Sequence, residues 1–389
     1  MKILFYLSRY PGVGGIENVT TAIVKELVIS HEIHIISHLQ QDIDYPLDGL
    51  CPIYKMPVPQ DYQSKKNKIY YDELVEKEQF DLIIYQDSYA PTEKIVCEVA
   101  MKRRIPVIVF EHSSPLFVYN KRSLDSFFSI KGFLRWTLHP ILLEREVMRK
   151  RYLLENSYKY VLLSKRYIPE FLNLVKKEDC EGKLMYINNP IRVKTNEDSG
   201  KKKNIIVTVC RLSKEKQVIK MLQVWRSLFP LLPEWEFKIV GDGLEMKSLQ
   251  NYVERHRLQR VYFVGYAIPD EFYKDAKIYW MMSKFEGWPM SLIEAMHYGC
   301  VPIVQDTFSS VFDIVDHKTN GIIVDKDNLK QFKDETYILA GDEQLQEDYS
   351  SNARIKAKCF EMTDIINEWN ALLEDVAKHS VKKRKILYK

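Results

Sequence analysis

Short apolar runs rich in β-branched and aromatic residues alternate along the chain with longer segments of mixed polarity. The first run, Ile3-Leu4-Phe5-Tyr6-Leu7, predicts a strand over 3–8, followed by a glycine-rich turn and a helix over about 17–30. Further strands are predicted over 32–37, 80–85, 106–111 and 160–163. Continuous runs such as Val107-Ile108-Val109-Phe110 show no polar face. They suit strands covered on both sides by helices. Strands separated by helical stretches in this way form parallel α/β sheets.

The pattern breaks over 188–204, where polar and turn-forming residues dominate, and then restarts. Strands are predicted over 205–210, 236–240, 261–264, 278–281, 301–304 and 321–324, with a helix over 217–229. From Thr363 the periodicity is helical to the end, with Trp369, Leu372, Leu373 and Val376 on one face. A chain of 389 residues exceeds what one core usually supports. The reading is two α/β domains in tandem, 1–195 and 196–364, with the helix over 365–389 packing back on the first.

Composition removes several classes of function. The six cysteines stand apart, with no CxxC pair and no metal-ligand spacing, as expected of incidental thiols in a reducing compartment. The N-terminal apolar run is too short for a signal peptide, and no apolar segment is long enough to span a bilayer. The expected location is therefore cytoplasmic. The net charge of +4 is unevenly spread. Residues 121–166 hold eleven Lys or Arg against four acids, interleaved with Phe127, Phe128, Phe133, Trp136 and Ile141. That mixture suits an amphipathic surface lying on an anionic membrane, or equally a helix with a solvated basic face. No nucleic-acid-binding module is recognisable, so no nucleic-acid partner is expected.

The chemistry concentrates in two segments of the second domain. In Glu286-Gly287-Trp288-Pro289-Met290-Ser291-Leu292-Ile293-Glu294, Gly287 and Pro289 make a turn, Pro289 suits a helix start, and Gly299 suits its end. Glu286 then sits in the loop, and Glu294 lies about two helical turns in. Helix amides beside two carboxylates fit a ligand carrying both phosphates and hydroxyls. Opposite stands the loop after the domain's first strand, with Arg211, Lys214 and Lys216. Its guanidinium and ammonium groups are what a diphosphate needs. Loops at the carboxyl ends of parallel strands form the ligand crevice.

These residues resemble the retaining glycosyltransferases of family 4, with the GT-B fold (glycosyl transferases group 1). The E-x7-E motif is Glu286 to Glu294, the phosphate-binding Arg and Lys match Arg211 and Lys216, and Val240-Gly241-Asp242-Gly243 matches the strand-turn before the donor pocket. Gly299-Cys300-Val301-Pro302 and Asn320-Gly321 match later turns, and Asn188-Asn189 a polar turn near the boundary. One departure is Gln217, where the family often has Gly. The resemblance implies two Rossmann-like domains facing across a donor cleft. It also implies that Arg211 and Lys216 hold the donor diphosphate, Glu294 the ribose and Glu286 the transferred sugar. The backbone around Gly241, Gly287, Trp288, Pro289, Met290 and Ser291 would line the donor.

In the first domain, Pro11-Gly12-Val13-Gly14-Gly15-Ile16-Glu17 follows the first strand, and adjacent glycines let backbone approach a ligand closely. By resemblance, Gly14 and Gly15 border the donor phosphates and the acceptor. His112, in Phe110-Glu111-His112-Ser113-Ser114, matches a histidine near the transferred sugar, with Glu111 a candidate to orient it. The activity implied is transfer of a hexose-type sugar from a UDP- or GDP-linked donor to a saccharide or lipid-linked acceptor, with retention. It needs no cofactor beyond the donor and no metal, and it serves bacterial surface polysaccharide or glycolipid synthesis. The rivals are a nucleotide-sugar processing enzyme on the same scaffold, or an inactive carbohydrate-binding member. Intact Glu286, Glu294, Arg211 and Lys216 argue against the second.

Overall fold

The computed structural model describes residues 1–12, 14–43, 47, 49–86, 90–121, 130–191 and 201–387; for 121, 130–136 and 380–387 the description is of backbone alone. The chain divides into two compact units. One comprises 1–119, 127–189 and 363–389, and the other 190–362 with 120–126.

The first unit is built on a seven-stranded parallel sheet in the order β3-β2-β1-β4-β5-β6-β7. Its strands are β1 (Lys2–Arg9), β2 (Glu32–Leu39), β3 (Ile53–Lys55), β4 (Leu82–Tyr85), β5 (Val107–Phe110), β6 (Lys159–Leu162) and β7 (Leu184–Tyr186). Between them run α1 (Gly15–Leu27), α2 (Lys65–Glu78), α3 (Glu93–Arg103), α4 (Phe117–Lys121), α5 (Ile130–Asn156) and α6 (Tyr167–Val175). Alternate strand residues serve opposite faces. Leu4, Tyr6, Ile83, Tyr85, Val107 and Val109 join a core with Tyr71, Val96, Leu154 and Phe171 from α2, α3, α5 and α6. Phe5 and Phe110 belong to the other face and stack on Trp369, at centroid distances of 6.1 and 4.3 Å.

The second unit is a six-stranded parallel sheet in the order β10-β9-β8-β11-β12-β13. In sequence it contains β8 (Lys203–Val209), α7 (Val218–Leu228), β9 (Glu236–Val240), α8 (Met246–Arg255), β10 (Val261–Gly265), α9 (Asp270–Asp275) and β11 (Ala276–Met281). Then come α10 (Met290–His297), β12 (Val301–Gln305), α11 (Val311–Ile314), β13 (Ile322–Val324), α12 (Leu329–Gly341) and α13 (Glu343–Lys358). Trp225, Phe237, Trp280 and Phe332 pack edge-on and tilted at the centre of its core. The chain closes with α14 (Met362–Leu387), which belongs to the first unit and buries Trp369, Leu372, Leu373 and Val376.

Both sheets are doubly wound, and each reverses its strand order once. In the first unit the reversal falls between β1 and β4, and in the second between β8 and β11. Such switch points leave a crevice at the carboxyl ends of the strands where ligands bind. The loops that follow β1, β8 and β11 carry most of the residues singled out above.

Candidate functional site

In the second unit the loop after β8 is held from below by glycine. Gly241 has φ +131°, and a Cβ there would lie 1.9 Å from the Cys210 carbonyl oxygen. Gly243 has φ +158°, with a Cβ 2.3 Å from the Leu212 oxygen. Only glycine permits this approach. The backbone then ties the layers together: Leu212 N–H donates to Asp242 O at 2.8 Å, and Gly241 N–H donates to Gly265 O at 2.8 Å. The loop carrying Arg211 is thus clamped, while the Arg211 side chain is 73% exposed. Its Nη2 lies 2.8 Å from Glu215 Oε1, which also accepts from Ser213 Oγ at 2.6 Å. Glu215 escaped the sequence reading because an acid between two basic residues looks like surface.

Lys214 points to solvent, whereas Lys216 turns inward. Lys216 Nζ lies 2.5 Å from Glu286 Oε1, with the two side chains 20% and 13% exposed. Burial pulls the ammonium down, but the Glu286 carboxylate more than offsets it and leaves Lys216 above its usual value. One partner follows β8 and the other follows β11, so this ion pair stands at the topological switch point. Lys284 N–H also donates to Glu215 O at 2.8 Å, fastening the two loops backbone to backbone.

Gln217 explains the departure from the family's glycine. Its φ is +52°, a left-handed conformation that glycine adopts freely and other residues adopt at about 1 kcal/mol. The side chain offsets this. It is buried, and its amide, turned to suit its neighbours, donates to Met282 O at 2.8 Å and accepts from Lys220 Nζ at 2.9 Å.

Helix α10 begins at Met290, one residue later than a Pro289 start, with Pro289 as N-cap. It ends in a Schellman motif. Gly299, at φ +74°, donates from N–H to Met296 O at 2.8 Å, and Cys300 N–H donates to Ala295 O at 2.9 Å. Glu294 lies within this helix and accepts a long hydrogen bond of 3.5 Å from the Tyr273 hydroxyl. Ser291 Oγ pairs with Tyr279 OH at 2.8 Å. Both tyrosines are fully buried behind the site, and burial raises their hydroxyls well above the usual value. Trp288 is 6% exposed and packs edge-on against Phe360. Asn320 is buried and shapes its own turn, its Oδ1 accepting from Asp316 N–H at 2.9 Å.

In the first unit Gly14 is the N-cap of α1 and Gly15 its first residue; Val13 lies outside the described residues. A Cβ on Gly14 would stand 2.2 Å from Glu17 Oε2, so the glycine makes room for a buried carboxylate that holds Arg9 at 2.7 Å. Among the described residues beyond its chain neighbours and its own helix backbone, nothing lies within 4 Å of a Cβ built on Gly15. His112 follows β5. Among the described residues neither of its ring nitrogens has a hydrogen-bond partner, and burial holds the imidazole at about 4. Glu111 engages other groups: Lys150 Nζ at 2.6 Å, Ser113 Oγ at 2.5 Å and Tyr160 OH at 2.8 Å.

The basic window divides. Arg149 and Lys150 face inward, Arg149 Nε lying 3.3 Å from Glu93. The outward stripe of α5 is apolar, with Leu138, Ile141, Leu142 and Met148 each about half exposed and Arg145 among them. Phe127 and Phe128 lie outside the described residues, as do the side chains of Phe133 and Trp136. Among the described residues no helix is long and apolar enough to cross a membrane, and no three metal-ligating side chains cluster.

This arrangement has counterparts. Residues 191–356 match the family described as Glycosyl transferases group 1. Over 386 residues the chain is 25% identical to an uncharacterized glycosyltransferase of Haemophilus influenzae, covering 96% of this chain and 99% of that one. It is 22% identical to the GalNAc-alpha-(1->4)-GalNAc-alpha-(1->3)-diNAcBac-PP-undecaprenol alpha-1,4-N-acetyl-D-galactosaminyltransferase of Campylobacter jejuni, covering 97% and 99%. Among solved structures, Anabaena Alr3699/HepE in complex with UDP and glucose superposes with a TM-score of 0.75 at 17% identity, covering 96% and 100% of the two chains. That likeness gives the fold as GT-B. Residues 191–356 therefore match a glycosyl transferases group 1 domain, and over nearly its whole length the chain is similar to glycosyltransferases.

Proposed function

We propose that the protein transfers a hexose-type sugar from a UDP- or GDP-linked donor to a hydroxyl of a saccharide or lipid-linked acceptor, with retention of anomeric configuration. The observation that carries this reading is the Lys216–Glu286 pair at the switch point of the second sheet, with Arg211 tethered beside it. Arg211 and Lys216 would grip the diphosphate, Glu286 the hydroxyls of the transferred sugar, and Glu294 the ribose. Gly241 and the backbone from Gly287 to Ser291 would line the donor. Gly14, Gly15 and His112 would act from the first unit, beside the phosphates and the transferred sugar.

The chemistry that follows is front-side displacement. The bond from the anomeric carbon to the diphosphate oxygen breaks as the acceptor oxygen bonds to the same face, and the acceptor proton leaves on the departing phosphate. Negative charge grows on the diphosphate, where Arg211 and Lys216 stabilise it in place of a divalent cation. The transfer is therefore proposed to be metal-independent. The name of the Campylobacter relative, with its PP-undecaprenol substrate, supports a lipid-linked acceptor and a role in bacterial surface polysaccharide or glycolipid synthesis. The apolar stripe on α5, flanked by Arg145, supports peripheral contact with an anionic membrane from the cytoplasmic side.

The test is a panel of UDP- and GDP-hexoses, with nucleotide release followed with and without a chelator. Release with a subset of donors, unchanged by chelation, is expected. Glu286→Ala and Arg211→Ala should each lower it severely in a folded protein. Near-normal turnover in either variant removes the assigned roles.

A further inference from the structure

Lys150 is 2% exposed and Glu111 4% exposed, a full charge pair sunk beneath the carboxyl end of β5. Lys150 Nζ lies 2.6 Å from Glu111 Oε2 and 3.3 Å from Glu146 Oε1. Arg149 extends the cluster, with Nη2 donating to Tyr85 OH at 3.1 Å and to Ala90 O at 3.3 Å. Buried ion pairs contribute little to stability, because desolvation cancels most of the attraction, and apolar groups of equal volume often do as well. The position of this pair suggests another use.

The bonds made by Glu111 bracket His112. On one side Glu111 is fixed by Lys150 and Tyr160, and its backbone N–H donates to Val161 O at 2.9 Å. On the other side Ser113 Oγ donates to the same carboxylate at 2.5 Å. Both neighbours of His112 are therefore anchored to one buried charge, while the imidazole between them, its two nitrogens buried, has no hydrogen-bond partner among the described residues. A turn held so firmly around a ring left unsatisfied is arranged to present that ring to something else.

We infer that Lys150 and Glu111 are positioning residues, which lock the turn after β5 so that His112 is held ready for the transferred sugar. This rests on the transferase reading and on the place of His112 within it. The cation comes from α5, far along the chain, so the turn acquires its geometry only when α5 is docked.

Four proteins test it: wild type, Lys150→Met, Lys150→Arg and the double variant Glu111→Gln/Lys150→Met. Three measurements are made on each: UDP affinity by calorimetry, thermal unfolding, and kcat and KM for UDP release from the UDP-hexose that wild type uses. Lys150→Met strands a buried carboxylate and should unfold early. The double variant removes both charges of the buried pair, and Glu146 keeps Arg149 at 3.8 Å, so it should unfold near wild type, with UDP affinity and donor KM within twofold. Its kcat should fall at least tenfold. Lys150→Arg keeps the cation and should recover kcat to within threefold of wild type. A double variant that turns over like wild type overturns the inference, as does Lys150→Arg with no more activity than Lys150→Met. Wild-type protein that releases no nucleotide from any donor overturns the transferase reading itself, an outcome distinct from an active enzyme indifferent to these substitutions.

Discussion

Replacing Glu286 by Gln keeps the shape of the side chain and removes its charge, which leaves Lys216 facing a neutral amide. The cost follows from burial. A fully buried pair that loses one partner costs about 3–5 kcal/mol, and an exposed pair under about 1 kcal/mol. With Lys216 20% and Glu286 13% exposed, an intermediate loss applies, about 2 kcal/mol. The diphosphate of UDP would supply the missing negative charge, so the UDP-bound variant should be destabilised far less than the free one. A thermodynamic cycle then requires UDP to bind the variant more tightly by that difference, and about 2 kcal/mol corresponds to roughly 30-fold in Kd. Calorimetry gives the affinity, and urea unfolding with and without saturating UDP gives the two stabilities. Sugar release should meanwhile fall, because the grip on the sugar hydroxyls is lost. UDP binding that is unchanged or weaker in Glu286→Gln refutes the idea that Glu286 neutralises a phosphate-binding lysine in the free protein.

Arg211→Ala should weaken UDP binding about 10- to 100-fold, the loss of one charge-assisted contact, with an unchanged thermal transition because the side chain is 73% exposed. Unaltered affinity would place the diphosphate elsewhere. Trp369→Ala removes a side chain 3% exposed and stacked 4.3 Å from Phe110. It should cost about 3–5 kcal/mol in the urea transition of the first unit alone; a loss confined to the second unit would contradict the assignment of α14. His38 and His112 are both held at about 4 by burial, below the value of 6.5 they take when unfolded. Their stabilising effect is whole above pH 6.5 and is lost as pH falls toward 4. Between pH 7 and 5 this amounts to about 2 kcal/mol for each of them. A urea midpoint for the first unit that does not move over that range would count against both.

The strands were legible where runs of β-branched residues are buried on both faces, as in β5 and β12. The short edge strands β3 and β7 were not, because Ile53-Tyr54-Lys55 and Leu184-Met185-Tyr186 are too brief to show a period. The turn glycines Gly241 and Gly299 could be read because their backbone needs are encoded in the residue itself. Gln217 could be noticed only as a departure, since the bonds that let it stand in a left-handed turn come from Met282 and Lys220. The basic window misled in one respect. A count of charges treats Arg149 and Lys150 as surface, and their partners Glu93 and Glu111 lie too far away in sequence to be paired without a fold.

The return of α14 to the first unit bears on the order in which the protein is made. Domains ordinarily finish folding as they leave the ribosome, the N-terminal one first. Here Phe5 and Phe110 wait for Trp369, which emerges only after every strand of the second unit has been synthesised. The second unit can therefore close before the unit that precedes it. A nonsense codon just ahead of residue 363 would release a chain with its second sheet complete and the aromatic face of its first sheet still uncovered.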